Sequence, residues 1–324
     1  MGRRLIYRIS FIFIFYSLSL GNFRDLKIGL HDLLIGVKGE YEEDETYIFG
    51  NIADIQIDDE DRIYLLDNKI CKIQVYDEKG KFIKSIGGRG QGPGEFNLPS
   101  KFFIINKKIF VLDFRSVNIF SIEGQFIKSF KVDFQATDIK VNRKNEIILL
   151  GLRNDKIFHI FDLEGNLLHS FGEPFKIPSE YYAKYKKYED CPFLKVHVEM
   201  FLIDEDIYIF NPFRYKIRYY KNNQFIKDFG RETSNYNTPV VTDFGSMGYS
   251  IGYIGSPTIL KLNKNILLIC FESKIDIFEN YKFLKTITSK NFKGLAKAID
   301  RKNRIYCIDS FDYPKIIRYP LILK

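Results

Sequence analysis

Apolar residues in this chain recur in two phrases. The first is a short apolar run that follows a polar turn: Ile63 to Leu66, Ile109 to Leu112, Ile147 to Leu150, Ile207 to Phe210, Ile266 to Ile269 and Ile305 to Ile308. The second is Gly-Lys-Phe-Ile-Lys-Ser-Ile at 80–86, which returns in altered form at 124–130, 165–171, 223–229 and 281–287. Runs rich in β-branched and aromatic residues between Asp, Asn and Gly turns predict strands. Successive copies of the first phrase lie 38 to 60 residues apart, which is room for about four strands and their turns, the blade of a β-propeller. The first unit reads in order as Ile52 to Ile57 (strand a), Ile63 to Leu66 (b), Ile73 to Tyr76 (c) and Phe82 to Ile86 (d), with Asp58 to Asp61, Asp67 to Lys69 and Asp77 to Gly80 as turns.

Six copies of the b phrase stand against five of the d phrase, so the last unit ends at Lys324 one strand short. A strand between Asp25 and Phe49 is expected to complete it, since closing the ring removes exposed sheet edges. The expected fold is all-β, a six-bladed β-propeller with an N-terminal strand closing the last blade. The expected organisation is a leader over 1–21, an N-terminal segment over 22–50 holding the closing strand, and the propeller over 51–324.

The leader follows from Arg3, Arg4 and Arg8, an apolar run from Ile9 to Leu20, and small residues at Ser19 and Gly21, the order of an export signal. The run is too short to span a bilayer comfortably. A secreted or periplasmic protein is expected, envelope-associated if the leader stays as an anchor, with no membrane span after cleavage. Loss of the three leader arginines lowers the formal net charge from +8 to +5. That weakens a nucleic-acid reading, and none is expected as partner. The absence of Trp counts against a WD-repeat propeller. Cys71, Cys191, Cys270 and Cys307 show no metal spacing, and buried thiols or a Cys270–Cys307 disulfide both remain open.

Strands of a blade alternate in direction, so d-to-a and b-to-c connections share one end of the ring. The a-to-b turns at the other end are short and polar. Two long insertions, 172–198 and 230–258, are d-to-a connections, and loops of that length in a compact domain are usually functional. Tyr181, Tyr182 and Tyr185 in the first and Tyr249 in the second, with Arg115, Arg153, Arg214 and Tyr215 from b-to-c loops, are the candidate ligand-binding residues. Aromatic and guanidinium groups on a rigid ring suit a protein, peptide or glycan partner. Each of these side chains has a packing role as its plain alternative. A monomer is expected.

The Gly-rich segment 86–96 matches neither dinucleotide nor phosphate-loop spacing and lies between strands, so it reads as a d-to-a crossover. Its Gly-Gln-Gly-Pro-Gly-Glu stretch, following Arg-Ile-Tyr-Leu-Leu-Asp, Asp-Glu-Lys-Gly and Gly-Lys-Phe-Ile-Lys-Ser-Ile, resembles NHL-type six-bladed propellers, in particular a group of exported bacterial propellers. The resemblance covers about residues 47–172 well and later blades more loosely. It implies the fold strongly and an activity hardly at all.

Related six-bladed propellers include lactonases with a divalent ion in the central channel. Aligned a strands put Asp54 and Asp138 in one column and Glu199 in the next, so these three are the candidate ligands for calcium or another divalent cation. Only two of six residues in the first column are acidic, and no cofactor is expected. The four histidines, His31, His159, His169 and His197, form no metal motif, and no nucleophile elbow is present. The reading leans away from an enzyme towards a binding module, with a metal-dependent lactonase or hydrolase as the alternative.

Overall fold

Every one of the six apolar runs is the second strand of an antiparallel sheet. The computed structural model describes residues 26–36, 45–189, 191, 195–196, 199–233, 238–243, 249–252 and 257–322. Strands β1 (Lys27–Ile28) and β2 (Leu33–Ile35) come first. Blade one is β3 (Ile52–Ile57), β4 (Ile63–Asp67), β5 (Lys72–Tyr76) and β6 (Phe82–Ile86). Blade two is β7 (Pro99–Ile105), β8 (Lys108–Asp113), β9 (Ser116–Ser121) and β10 (Phe126–Lys131). Blade three is β11 (Asp138–Val141), β12 (Ile147–Arg153), β13 (Lys156–Phe161) and β14 (Leu167–Phe171). Helix α1 (Ser179–Tyr185) precedes blade four, β15 (Met200–Ile203), β16 (Asp206–Phe210), β17 (Lys216–Lys221) and β18 (Gln224–Gly230). A hairpin of β19 (Val240–Asp243) and β20 (Tyr249–Gly252) leads to blade five, β21 (Thr258–Asn263), β22 (Ile266–Cys270), β23 (Lys274–Glu279) and β24 (Lys282–Thr288). Blade six has β25 (Leu295–Ile299), β26 (Arg304–Asp309) and β27 (Lys315–Ile322).

The b strands are apolar between their ends because both their faces meet a neighbouring blade: every residue of β4, β22 and β26 is buried. The core is accordingly a ring of layers between blades. One such layer joins Tyr64, Ile73 and Ile86 of blade one to Phe102, Ile109 and Phe120 of blade two. The acid that ends a b strand ties down the incoming crossover. Asp67 accepts the Gly50 and Asn51 amides at 2.6 and 3.0 Å, and Asp113 accepts those of Asn97 and Leu98 at 2.9 and 2.5 Å.

The repeated d phrase is a device for docking blades. Its glycine, at 80, 124 and 165, has positive φ in the c-to-d turn and lies against the outer strand of the preceding blade. A Cβ on Gly124 would come within 2.9 Å of Ile86, and one on Gly165 would overlap Phe130. Its lysine reaches the following blade: Lys84 Nζ donates to the Ile122 carbonyl at 2.9 Å, and Lys128 pairs with Glu164 at 3.0 Å.

At Gly80 the neighbours are Leu33 and Ile35, which shows β2 in the outer-strand position of blade six. Indeed β1 pairs Lys27 with Ile322, and β2 pairs Leu33 with Arg318 and Ile35 with Ile316, both antiparallel to β27. The closing strand thus falls within the expected interval. Ion pairs seal this seam: Arg318 with Asp32 at 2.7 Å, and Arg304 and Lys302 each with Glu78 at 2.7 Å. Hydrogen bonds from Lys302 and Arg304 hold the Glu78 carboxyl down at about 2.

The leader, His197, Tyr236, Tyr253 and Gly245 to Gly248 lie outside the described residues. Among the described residues no helix is long and apolar enough to cross a membrane. All four cysteines are free and buried.

Candidate functional site

The two long insertions pack into one unit over blade four. Three side chains form its centre: Tyr185 of α1, Cys191 after it, and Phe213 from the b-to-c loop of blade four. Ile177, Tyr181, Tyr188 and Val241 surround them. Polar contacts hold the second insertion to the first. Tyr185 donates its hydroxyl to the Pro239 carbonyl at 2.7 Å, while Asp243 receives Lys187 Nζ at 2.5 Å and the Tyr188 hydroxyl at 2.8 Å. Arg214 closes onto Glu180 of α1 at 2.5 Å.

This packing sorts the candidate residues. Tyr185 and Tyr215, placed by sequence on the binding surface, are buried and serve as framework. The reason for Tyr185 is helical spacing, which puts Tyr181 and Tyr185 on the same inward side of α1. Tyr215 donates its hydroxyl to Asp276 of blade five at 2.9 Å, and burial beside that carboxylate pushes its phenol up. Tyr182 faces outward, with its hydroxyl on Glu189 at 2.9 Å. Arg153 forms a two-pronged pair with Asp133, both contacts at 2.8 Å. Arg115 is exposed beside Phe114. The Tyr249 side chain lies outside the described residues. Arg115 and Arg153 share a cavity of about 440 Å³ over blades two and three, while Tyr182 of the first insertion and Arg214, which bonds to Glu180 of α1, lie over blade four.

The channel holds an arrangement that column alignment missed. Glu199, just before β15, receives Lys101 of β7 at 2.5 Å and Lys297 of β25 at 2.6 Å on the same carboxylate oxygen, Oε1. Asp138 at the head of β11 receives Lys140 at 2.7 Å on Oδ1, and its Oδ2 accepts the Met200 amide at 2.8 Å. Asp54 of β3 accepts the Ile55 amide at 3.0 Å. Blades one, two, three, four and six therefore meet through three carboxylates and three ammonium groups. Burial opposes ionisation of Glu199, yet Lys101 and Lys297 outweigh it and hold the carboxyl well below the usual range. Burial likewise works against the Lys101 ammonium, but Glu199, Asp54 and Asp138 keep it charged and above its ordinary value. For Asp54 burial wins over Lys101, Lys140 and Lys297, and its carboxyl is pushed up.

His159, one of the four histidines that form no metal motif, is fully buried between the Ser170 hydroxyl at 2.9 Å and the Gly151 carbonyl at 3.1 Å. Burial pulls its imidazole down, so it is neutral at pH 7.

Ring, seam and capped face define a six-bladed β-propeller with one elaborated end. The chain belongs to the family DUF5128, described as a 6-bladed beta-propeller, whose model matches residues 42–227. It is 24% identical over 131 residues to the protein brain tumor of Drosophila melanogaster, a match that takes in 38% of this chain and 12% of that protein. Among solved structures it is similar to a supposed exported protein of Bacteroides fragilis, with TM-score 0.62 and 12% identity over 94% of this chain and 97% of the other. It is also similar to a DUF4221 family member from Bacteroides vulgatus, with TM-score 0.58 and 10% identity over 93% and 99% of the two chains. At such identities the likeness is one of fold.

Proposed function

We propose that this protein is an exported NHL-type propeller that acts as a binding module, holding a protein, peptide or glycan on the insertion-bearing face. The observation that carries this reading is the fusion of both insertions with Phe213 into one capped platform that presents Tyr182 and the Lys186 ammonium to solvent. A rigid base under exposed aromatic and charged groups is what recognition needs. Export is supported by the basic and apolar leader and by the fold's likeness to a supposed exported protein.

The channel supports the same reading from the other side. A divalent cation takes six or more oxygen ligands from carboxylates and carbonyls. Here the Glu199 and Asp138 carboxylates already neutralise lysines of this chain. The ammonium groups occupy the electrostatic role that an ion would have, which counts against a metal-dependent lactonase or hydrolase.

Immobilised protein should retain its ligand from soluble envelope extract in the presence of a chelator. The double substitution Tyr182→Ala, Lys186→Ala should abolish that retention without changing the melting temperature. Retention that needs a divalent ion, or that ignores the double substitution, would overturn the assignment.

A further inference from the structure

Blade two carries a groove lined by none of the described insertion residues. It runs along β10 between that strand and the glycine loop 90–95, encloses about 790 Å³, and opens at Arg115 into the cavity shared with Arg153. The loop is held in place from within. Phe96 is fully buried against Phe120, Gly87 has positive φ where a Cβ would overlap the Phe96 ring, and Glu95 accepts the Gly92 amide at 2.8 Å. One wall of the groove is therefore fixed, and the other is an open-edged strand: β10 is last in its sheet and, among the described residues, pairs only with β9.

The charges in the groove are not balanced alike. Asp113 is engaged by the Asn97 and Leu98 amides, Glu95 by Gly92, and Lys128 by Glu164. Arg115 and Lys131 are exposed and have no acidic partner among the described residues. The other b-to-c arginines named above, Arg153 and Arg214, are both salt-bridged. Arg115 and Lys131 also stand at the same end of the groove. Lys131 pairs across the sheet with Ser116, next to Arg115, and the Val132 amide donates to the Arg115 carbonyl at 2.9 Å. Phe114 and Ile127, each nearly half exposed, add apolar surface to the groove lining.

We propose that blade two binds an extended acidic peptide that adds as a fifth strand on β10, with a carboxylate held by Arg115 and Lys131. Open edge amides and carbonyls give an added strand its main-chain bonds, and the neighbouring side chains choose its sequence. A guanidinium presents paired donors that fit a carboxylate. Charge complementarity selects an acidic peptide, and the strand edge selects a peptide over a sugar.

The test is fluorescence polarisation with a labelled decapeptide alternating Glu and Val, its Lys and Val counterpart, and an N-methylated copy of the first. The Glu peptide should bind and the Lys peptide should not. Arg115→Glu and Lys131→Glu should each weaken binding by about tenfold or more, with the melting temperature unchanged. The N-methylated copy, which keeps its charge but loses its amide donors, should fail to bind. Tyr182→Ala, Lys186→Ala should leave the Glu peptide's affinity unaltered, so this site and the insertion platform stand or fall separately. The proposal is overturned by equal binding of the Lys peptide, by undiminished binding of the N-methylated copy, by no peptide binding, or by an oligogalacturonide that binds through Arg115 in the peptide's place.

Discussion

Glu199→Ala should destabilise the protein by about 3–5 kcal/mol, because it leaves buried ammonium groups without their shared counter-charge. Lys101 and Lys297 converge on one oxygen of that carboxylate, at 2.5 and 2.6 Å. Urea unfolding of wild type and variant gives the comparison. Replacing Lys101, Glu199 and Lys297 together by Met should recover much of the loss, since a well-packed apolar trio has no charge to desolvate. The pH dependence has a definite sign. The folded Glu199 carboxyl lies well below its unfolded value, so its contribution is complete above the usual carboxylate range and is lost as pH falls through the folded pKa. Wild type should therefore lose more stability than Glu199→Ala on acidification from pH 5 downward. Equal stability of the two proteins at pH 7 would remove the channel network from any structural role.

Deleting residues 22–36 should open the ring. Leu26 and Ile35 are each 1% exposed, and burying two such side chains contributes about 3–6 kcal/mol. That is a large part of the roughly 5–15 kcal/mol by which domains are stable. The deletion also removes the Arg318–Asp32 pair and uncovers the edge of β27. Thermal unfolding should become broad, and size-exclusion chromatography should show association through the bared edge. A monomer with a sharp transition close to that of wild type would mean that β27 closes the ring unaided.

The apolar runs were legible because a strand covered on both faces needs no polar residue, and β4 and β26 have only their terminal acid or base as exceptions. The missing fourth strand was legible from a count alone, and the glycine and lysine of the d phrase mark blade docking wherever they recur. The insertion tyrosines were harder. Tyr181, Tyr182 and Tyr185 look alike in a list, and only the short helix α1 turns one outward and buries another. The channel lysines were hidden for a different reason. Lys101 stands in the same alignment column as Glu199, but a column read only for acidic ligands gives a lysine no weight, and the bulge between Ala296 and Ala298 puts Lys297 outside that column. Lys140 was within reach, since it lies two residues after Asp138 on the same strand face.

The most direct test is elemental analysis of purified residues 22–324 combined with a calcium titration followed by thermal shift. A channel neutralised by its own lysines predicts no stoichiometric divalent ion and no rise in melting temperature with calcium. One ion bound per chain, or a clear calcium-dependent rise lost in Asp138→Ala, would contradict the account and place the chemistry in the channel.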